Sequence, residues 1–207
     1  SGSVYGLSEE LHVTEELPLL PISTYNKTKM VAEQIVSNWK DEFRVISLRP
    51  ATICGYSPRM RFDLAVNLLT YQALSEKCIT VLGGSQVRPN IHIQDMVNVY
   101  LHFINNTQLP SGEYNAGFEN LTILEIANKV KNIVEQQFKG DPISIEMTKS
   151  DDNRSYHINS DKIFNILGYK PKLSLEQAVL DLCNAFKDGL IPNSLSDESY
   201  FNVKSLK

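Results

Sequence analysis

TYNKTKMVAEQIVSNWKDEFRVISLRP, residues 24–50, is the stretch that decides how this chain folds. Met30, Val31, Ile35, Val36 and Trp39 recur near helical spacing with no Gly or Pro among them, which predicts a helix over residues 25–40. From 43 to 48 the pattern alternates and then runs apolar through Val45, Ile46 and Leu48 before Pro50, as a buried strand ending at a loop does. A helix leading straight into a buried strand belongs to α/β architecture.

The flanks extend this reading. Upstream lies a Pro-rich loop, LPLLPIS at 17–23. Downstream, 62–75 has a second helical pattern, CITVL at 78–82 reads as a short strand, and Gly83-Gly84 as a turn. A helix is expected over 95–104 with Asp95 near its N-cap, where a carboxylate accepts orphan N–H groups. GEYNAG at 112–117 suggests another strand. The helix expected over 122–138 opens with Thr122 and Glu125 at capping-box spacing. ISIEM at 143–147 alternates as a strand, and helices follow at about 160–167 and 174–188, the last stopped by Gly189 and Pro192. Without repeats or a clear linker, the chain is expected to form one contiguous unit, strand-rich at first, with a smaller mixed lobe after about residue 55.

Bulk properties bound the function. At 207 residues with 42% hydrophobic and 21% charged residues, the composition is that of an ordinary globular protein. Twenty basic and 24 acidic residues give a net charge of −4, so no overall field favours nucleic acid or an anionic membrane, and an anionic ligand must be met by local groups. No apolar run approaches the ~20 residues that span a bilayer, and SGSVYGLSEE has no signal-peptide pattern. A cytoplasmic protein is expected. Cys54, Cys78 and Cys183 lack metal or redox spacing and read as reduced thiols.

Tyr25 and Lys29 stand four residues apart, on one face of the expected helix. A tyrosine near its ordinary pKa of about 10 is a poor base at neutral pH; a neighbouring cation favours its phenolate and makes it a usable proton shuttle. The spacing alone is weak, since it occurs by chance on many surface helices, and by itself favours a solvated helix face.

Four segments in order change that balance: SGSVYG at 1–6, TYNKTK at 24–29, SLRPATICG at 47–55 and RPNIHIQDMV at 88–97. Together they resemble the extended short-chain dehydrogenase/reductase family of nucleotide-sugar epimerases and dehydratases, UDP-galactose 4-epimerase among them. The resemblance covers nearly the whole chain. It implies part of a Rossmann-like parallel sheet, its C-terminal half, plus a smaller mixed α/β substrate-binding lobe. Residues 1–55 would be the C-terminal part of the NAD-binding domain and 56–207 mainly the nucleotide-sugar lobe, with elements near 85–120 returning to the sheet.

By the same resemblance, Ser1, Tyr25 and Lys29 are the catalytic residues. Ser1 hydrogen-bonds the reacting hydroxyl, Tyr25 moves the proton, and Lys29 also holds the nicotinamide ribose. Tyr5, Gly6 and His92 are implied to be structural. Family dehydratases carry an Asp-Glu pair where this chain has Gly2 and Ser3, so an epimerase or 4-keto reductase is favoured over a 4,6-dehydratase. Asn67, Arg88 and Arg154 match family residues near the diphosphate or nucleotide; Thr52 stands where many relatives have Asn, and Arg59 and Arg61 are additional candidates. The implied partner is a nucleotide-diphosphate sugar, and the family permits a homodimer through the YxxxK helix. NAD is the implied cofactor, NADP being the variant the sequence leaves open. The ten glycines form no GxGxxG or GxxGxxG turn, so the cofactor is expected to be bound mainly by an N-terminal half outside this chain, which alone would be inactive. The competing reading is a non-catalytic module that binds a nucleotide sugar or a partner subunit. No metal site is expected.

Overall fold

The computed structural model describes residues 1–6, 10, 12–150, 155–168, 170–194 and 197–202. A 3-10 turn, Gly2–Tyr5, leads by way of a loop to helix α1, Thr24–Ser37. Then come β1 (Ile46–Pro50), β2 (Thr52–Cys54), α2 (Ala65–Ser75), β3 (Cys78–Leu82), β4 (Val87–His92), α3 (Ile93–Asn105) and β5 (Gly112–Ala116). β6 (Glu119–Thr122), α4 (Ile123–Gln137), β7 (Ser144–Thr148), α5 (Asp161–Leu167) and α6 (Leu175–Lys187) complete the order. β1 pairs with β5 in parallel, β2 with β4 in parallel, β4 with β6 antiparallel, and β3 with β7 in parallel.

Local chemistry explains the helix starts. Ser23 caps α1 by accepting from the Asn26 N–H, and Ser174 caps α6 by accepting from Gln177. Thr122 and Glu125 form the reciprocal capping box that their spacing predicts. One core packs α2, α4 and α6 around β3 through Val66, Ile79, Val130 and Val179. A second joins the β1/β5 pair to α3 and α5 through Ile91, Met96, Phe103, Tyr114 and Ile163. Cys54 and Cys183 are buried free thiols within the first core.

Several details depart from the sequence pattern. The first 55 residues are not strand-rich: α1 dominates them, and the strand begins at Ile46 because the chain is still turning at Phe43, whose N–H donates to the Trp39 carbonyl. Helix α2 starts at Ala65, since residues 61–63 are held in a loop by an Arg61–Asp63 ion pair. Asp95 does not cap α3. His92 does so, accepting from the Gln94 N–H, while the buried Asp95 carboxylate accepts from the Lys172 and Leu173 N–H groups.

Helix α1 is held by a narrow stripe. Asn26 is buried and Met30, Glu33 and Ser37 half-buried, at positions that recur on one side of the helix. Its opposite side carries exposed Val31 and Ile35, and Trp39 is exposed in the turn that follows. What fixes the helix is polar. Arg49 of β1 forks onto Glu33, with Nε to Oε2 at 3.1 Å and Nη2 to Oε1 at 2.5 Å, and the two side chains are only 5% and 10% exposed. Its Nη1 donates to the Tyr5 hydroxyl at 2.7 Å, and that hydroxyl donates to Asn115 Oδ1 of β5 at 2.7 Å. Removing one partner strands a buried charge. Glu33→Ala is therefore expected to cost about 3–5 kcal/mol of unfolding free energy, read from the shift in denaturant midpoint; a loss below about 1 kcal/mol would mean that the pair behaves as a solvated one.

Candidate functional site

The four sequence segments converge. A cleft of about 250 Å³ is lined by Ser3 and Gly6 of the first segment, Asn26 of the second, Thr52 of the third and Arg88 of the fourth, with Asp63, Leu64 and Tyr156 beside them. Gly6 is required here: its φ is 70°, and a Cβ would lie 1.9 Å from the Leu20 carbonyl oxygen.

Tyr25 sits in the first turn of α1 with 58% of its surface exposed, next to the cleft-lining Asn26. The Lys29 ammonium lies 5.4 Å from the Tyr25 ring centroid, so the two side chains share one face of the helix. Ser1 is half-buried beside β1: its backbone nitrogen donates to the Leu48 carbonyl at 3.2 Å, and its hydroxyl is 2.8 Å from that of Ser3.

The remaining expected contacts separate. Thr52 and Arg88 line the main cleft, and Arg88 Nη1 donates to the Val87 carbonyl. Asn67 is in a neighbouring cleft of about 170 Å³, together with Arg59 and Arg61, and Leu64 borders both. It is neither a helix cap nor a surface residue. It is buried, with Oδ1 accepting from the Gly55 N–H at 3.0 Å and Nδ2 donating to the Arg61 carbonyl at 2.9 Å, and so ties the loop to α2. Arg154 lies outside the described residues.

His92 is structural. Its Nδ1 accepts from a backbone N–H, so Nε2 carries the proton and donates to Asp181 at 3.1 Å, joining β4 to α6. Burial pushes the Cys54 thiol up to about 12 and that of Cys183 up to about 11, which makes both poor nucleophiles. Among the described residues no cluster of His, Cys, Asp and Glu could hold a metal ion, and no helix is long and apolar enough to cross a membrane.

Sequence reading missed the cleft residues Ser3, Asn26 and Asp63, and the Glu33–Arg49 pair. Glu33 had a signal, since Tyr25, Lys29 and Glu33 recur every four residues. Asp63 had none, because its place depends on contacts distant in sequence.

A model of the NAD dependent epimerase/dehydratase family matches residues 1–117. The chain belongs to this family. It is 27% identical over 198 residues to a UDP-glucose 4-epimerase of Lactobacillus helveticus, covering 83% of this chain and 57% of that protein. A dTDP-glucose 4,6-dehydratase of Escherichia coli is 24% identical over 188 residues, covering 83% and 51%. Among solved structures, a UDP-glucuronic acid 4-epimerase from Bacillus cereus in complex with UDP-glucuronic acid and NAD superposes with a TM-score of 0.76 at 27% identity, covering 90% of this chain and 59% of that one. The chain thus spans little more than half the length of these relatives.

Gly2 is closely packed. An ideal Cβ at Gly2 would lie 2.4 Å from Ile158 Cδ1 and 2.9 Å from the Pro50 carbonyl oxygen. Ile158 can shift, but the Pro50 backbone cannot do so without disturbing β1. Gly2→Asp is therefore expected to destabilise the fold by about 2–3 kcal/mol, measured by urea unfolding; an unchanged midpoint would show that the space is available.

Proposed function

We propose that this chain is the proton-transfer and substrate-binding part of an NAD-dependent nucleotide-sugar epimerase or 4-keto reductase. The observation that carries the reading is the cleft lined from all four sequence segments, with Tyr25 and Lys29 sharing one face of the helix whose first turn contributes Asn26 to it.

Bound NAD would supply the hydride acceptor. Lys29, exposed and on the tyrosine face, suits the ribose hydroxyls as a donor; the Gly-rich turn that cradles a pyrophosphate belongs to a dinucleotide-binding half that completes the site. In this chain Tyr25 Oη takes the proton from a sugar hydroxyl as the carbon gives up hydride, and returns a proton when hydride comes back. The Lys29 charge stabilises the intervening phenolate, and Ser1 Oγ hydrogen-bonds the reacting oxygen. Arg88 and Thr52 from the main cleft and Arg59 from the neighbouring one meet the diphosphate across Leu64, with Asn67 tying the intervening loop to α2. Arg154 joins the nucleotide site on the strength of its sequence match alone.

The space filled at Gly2 argues for simple redox at a sugar carbon. Elimination needs an added acid and base near the departing hydroxyl, and neither Gly2 nor Ser3 offers a carboxylate. The relatives include both epimerases and dehydratases, so this point rests on the local geometry. The exposed Val31 and Ile35 of α1, with Trp39 just beyond it, support a homodimer through this helix.

The test uses the chain together with its dinucleotide-binding half, NAD and a panel of UDP-, GDP-, CDP- and dTDP-sugars. The expected product is an epimer or a reduced 4-keto sugar, and Tyr25→Phe should lower kcat at least about 100-fold with little change in KM. Release of a 4-keto-6-deoxy sugar would overturn the preference against dehydration. Tight binding with no turnover would favour the competing reading of a non-catalytic nucleotide-sugar module.

A further inference from the structure

The C-terminal segment 197–202 packs against the loop that separates the two clefts. Its 3-10 turn, Glu198–Tyr200, is capped by Asp197, which accepts from the Ser199 N–H. The Tyr200 carbonyl accepts from the Phe62 N–H at 2.9 Å, and the rings of Tyr200 and Phe201 lie 5.3 and 6.1 Å from that of the fully buried Phe62. The Asn202 N–H donates to Asp63 Oδ2 at 3.1 Å, and Asp63 in turn forks Arg61 at 2.9 and 3.1 Å. Finally, Arg59 Nη2 donates to Asn202 Oδ1 at 2.9 Å.

The two loop arginines are thereby held in different ways. Arg61 faces a carboxylate, which cancels most of its charge. Arg59 faces a neutral amide, which fixes the guanidinium and leaves its full charge available in the smaller cleft. Holding an arginine in place beforehand also removes rotamer entropy that a ligand would otherwise have to freeze.

We propose that segment 197–202 is a strap that sets the diphosphate-binding loop, with Asn202 the positioning residue that presents Arg59, still charged, to the ligand's phosphates. This rests on the nucleotide-sugar reading of the clefts.

A double-mutant cycle tests it, with UDP or dTDP titrated into the full chain by calorimetry. Arg59→Ala and Asn202→Ala are each expected to weaken binding about five- to tenfold, and the double variant no further, because Asn202 acts through Arg59. Asn202→Asp separates positioning from a structural role. It keeps the acceptor and the thermal midpoint, yet it is expected to weaken binding because it neutralises the arginine. Independent, multiplying losses in the cycle, or unimpaired binding by Asn202→Asp, would overturn the strap proposal while leaving the nucleotide-sugar reading intact. Failure of the unaltered chain to bind either nucleotide would overturn that reading, and the strap proposal with it.

Discussion

A single buried guanidinium organises the first half of the molecule. Arg49 projects from β1 into a space where water cannot solvate it, and a charge in that position must be neutralised and hydrogen-bonded or the structure will not form around it. Glu33 supplies the countercharge, Tyr5 and the Glu15 carbonyl take the remaining donors, and Asn115 ties the tyrosine to β5. Asn115 also donates to the carbonyls of Val13 and Asn159, so segments far apart in sequence meet at one polar knot. Apolar packing alone would leave α1 free to roll, since Asn26 is its one fully buried residue. The fork to Glu33 removes that freedom, and with it sets the direction in which Tyr25 and Lys29 point.

That constraint separates the roles of nearby residues. Tyr5 and Tyr25 are both tyrosines beside cations, with Arg49 5.1 Å from one ring centroid and Lys29 5.4 Å from the other. Yet Tyr5 is 2% exposed and Tyr25 is 58% exposed. Burial pushes the Tyr5 phenol above its usual range despite the opposing pull of Arg49, and its oxygen is already committed to two partners, so it serves the framework. Tyr25 is accessible. Proximity to a cation does not by itself make a proton shuttle; on the proposed reading, access to the reacting atoms decides between the two.

Much of this was legible in the residues, for physical reasons that also mark where legibility stops. Periodic apolar spacing located α1, α4 and α6 because a helix is a local structure, and Thr122 with Glu125 marked the start of α4 because capping is local as well. The short strands Thr52–Cys54 and Glu119–Thr122 gave no such signal. Each owes its conformation to pairing with β4, a partner distant in sequence. Asp95 looked like a helix cap because Asp commonly is one, but the residues 172–173 that claim its carboxylate could not be seen from its neighbours. In the candidate site the motif segments could be located, but which of their residues line the cleft could not, so Ser3 and Asn26 were missed along with Asp63, which also bonds the C-terminal segment.

On the proposed reading an acidic chain must bind a diphosphate, and positive charge has to be concentrated locally without destabilising the free protein. The two clefts deal with it through graded neutralisation. Arg49 is fully paired and buried, and belongs to the fold. Arg61 is paired with Asp63 at a half-buried site, where burial raises the carboxyl and the hydrogen bonds and charge of Arg61 bring it below its usual range, so the pair shapes the loop. Arg59 is held by an uncharged amide and keeps its field. On the proposed reading, then, what each arginine contributes follows from the charge of its partner: a carboxylate converts the cation into scaffold, and an amide leaves it available to the ligand.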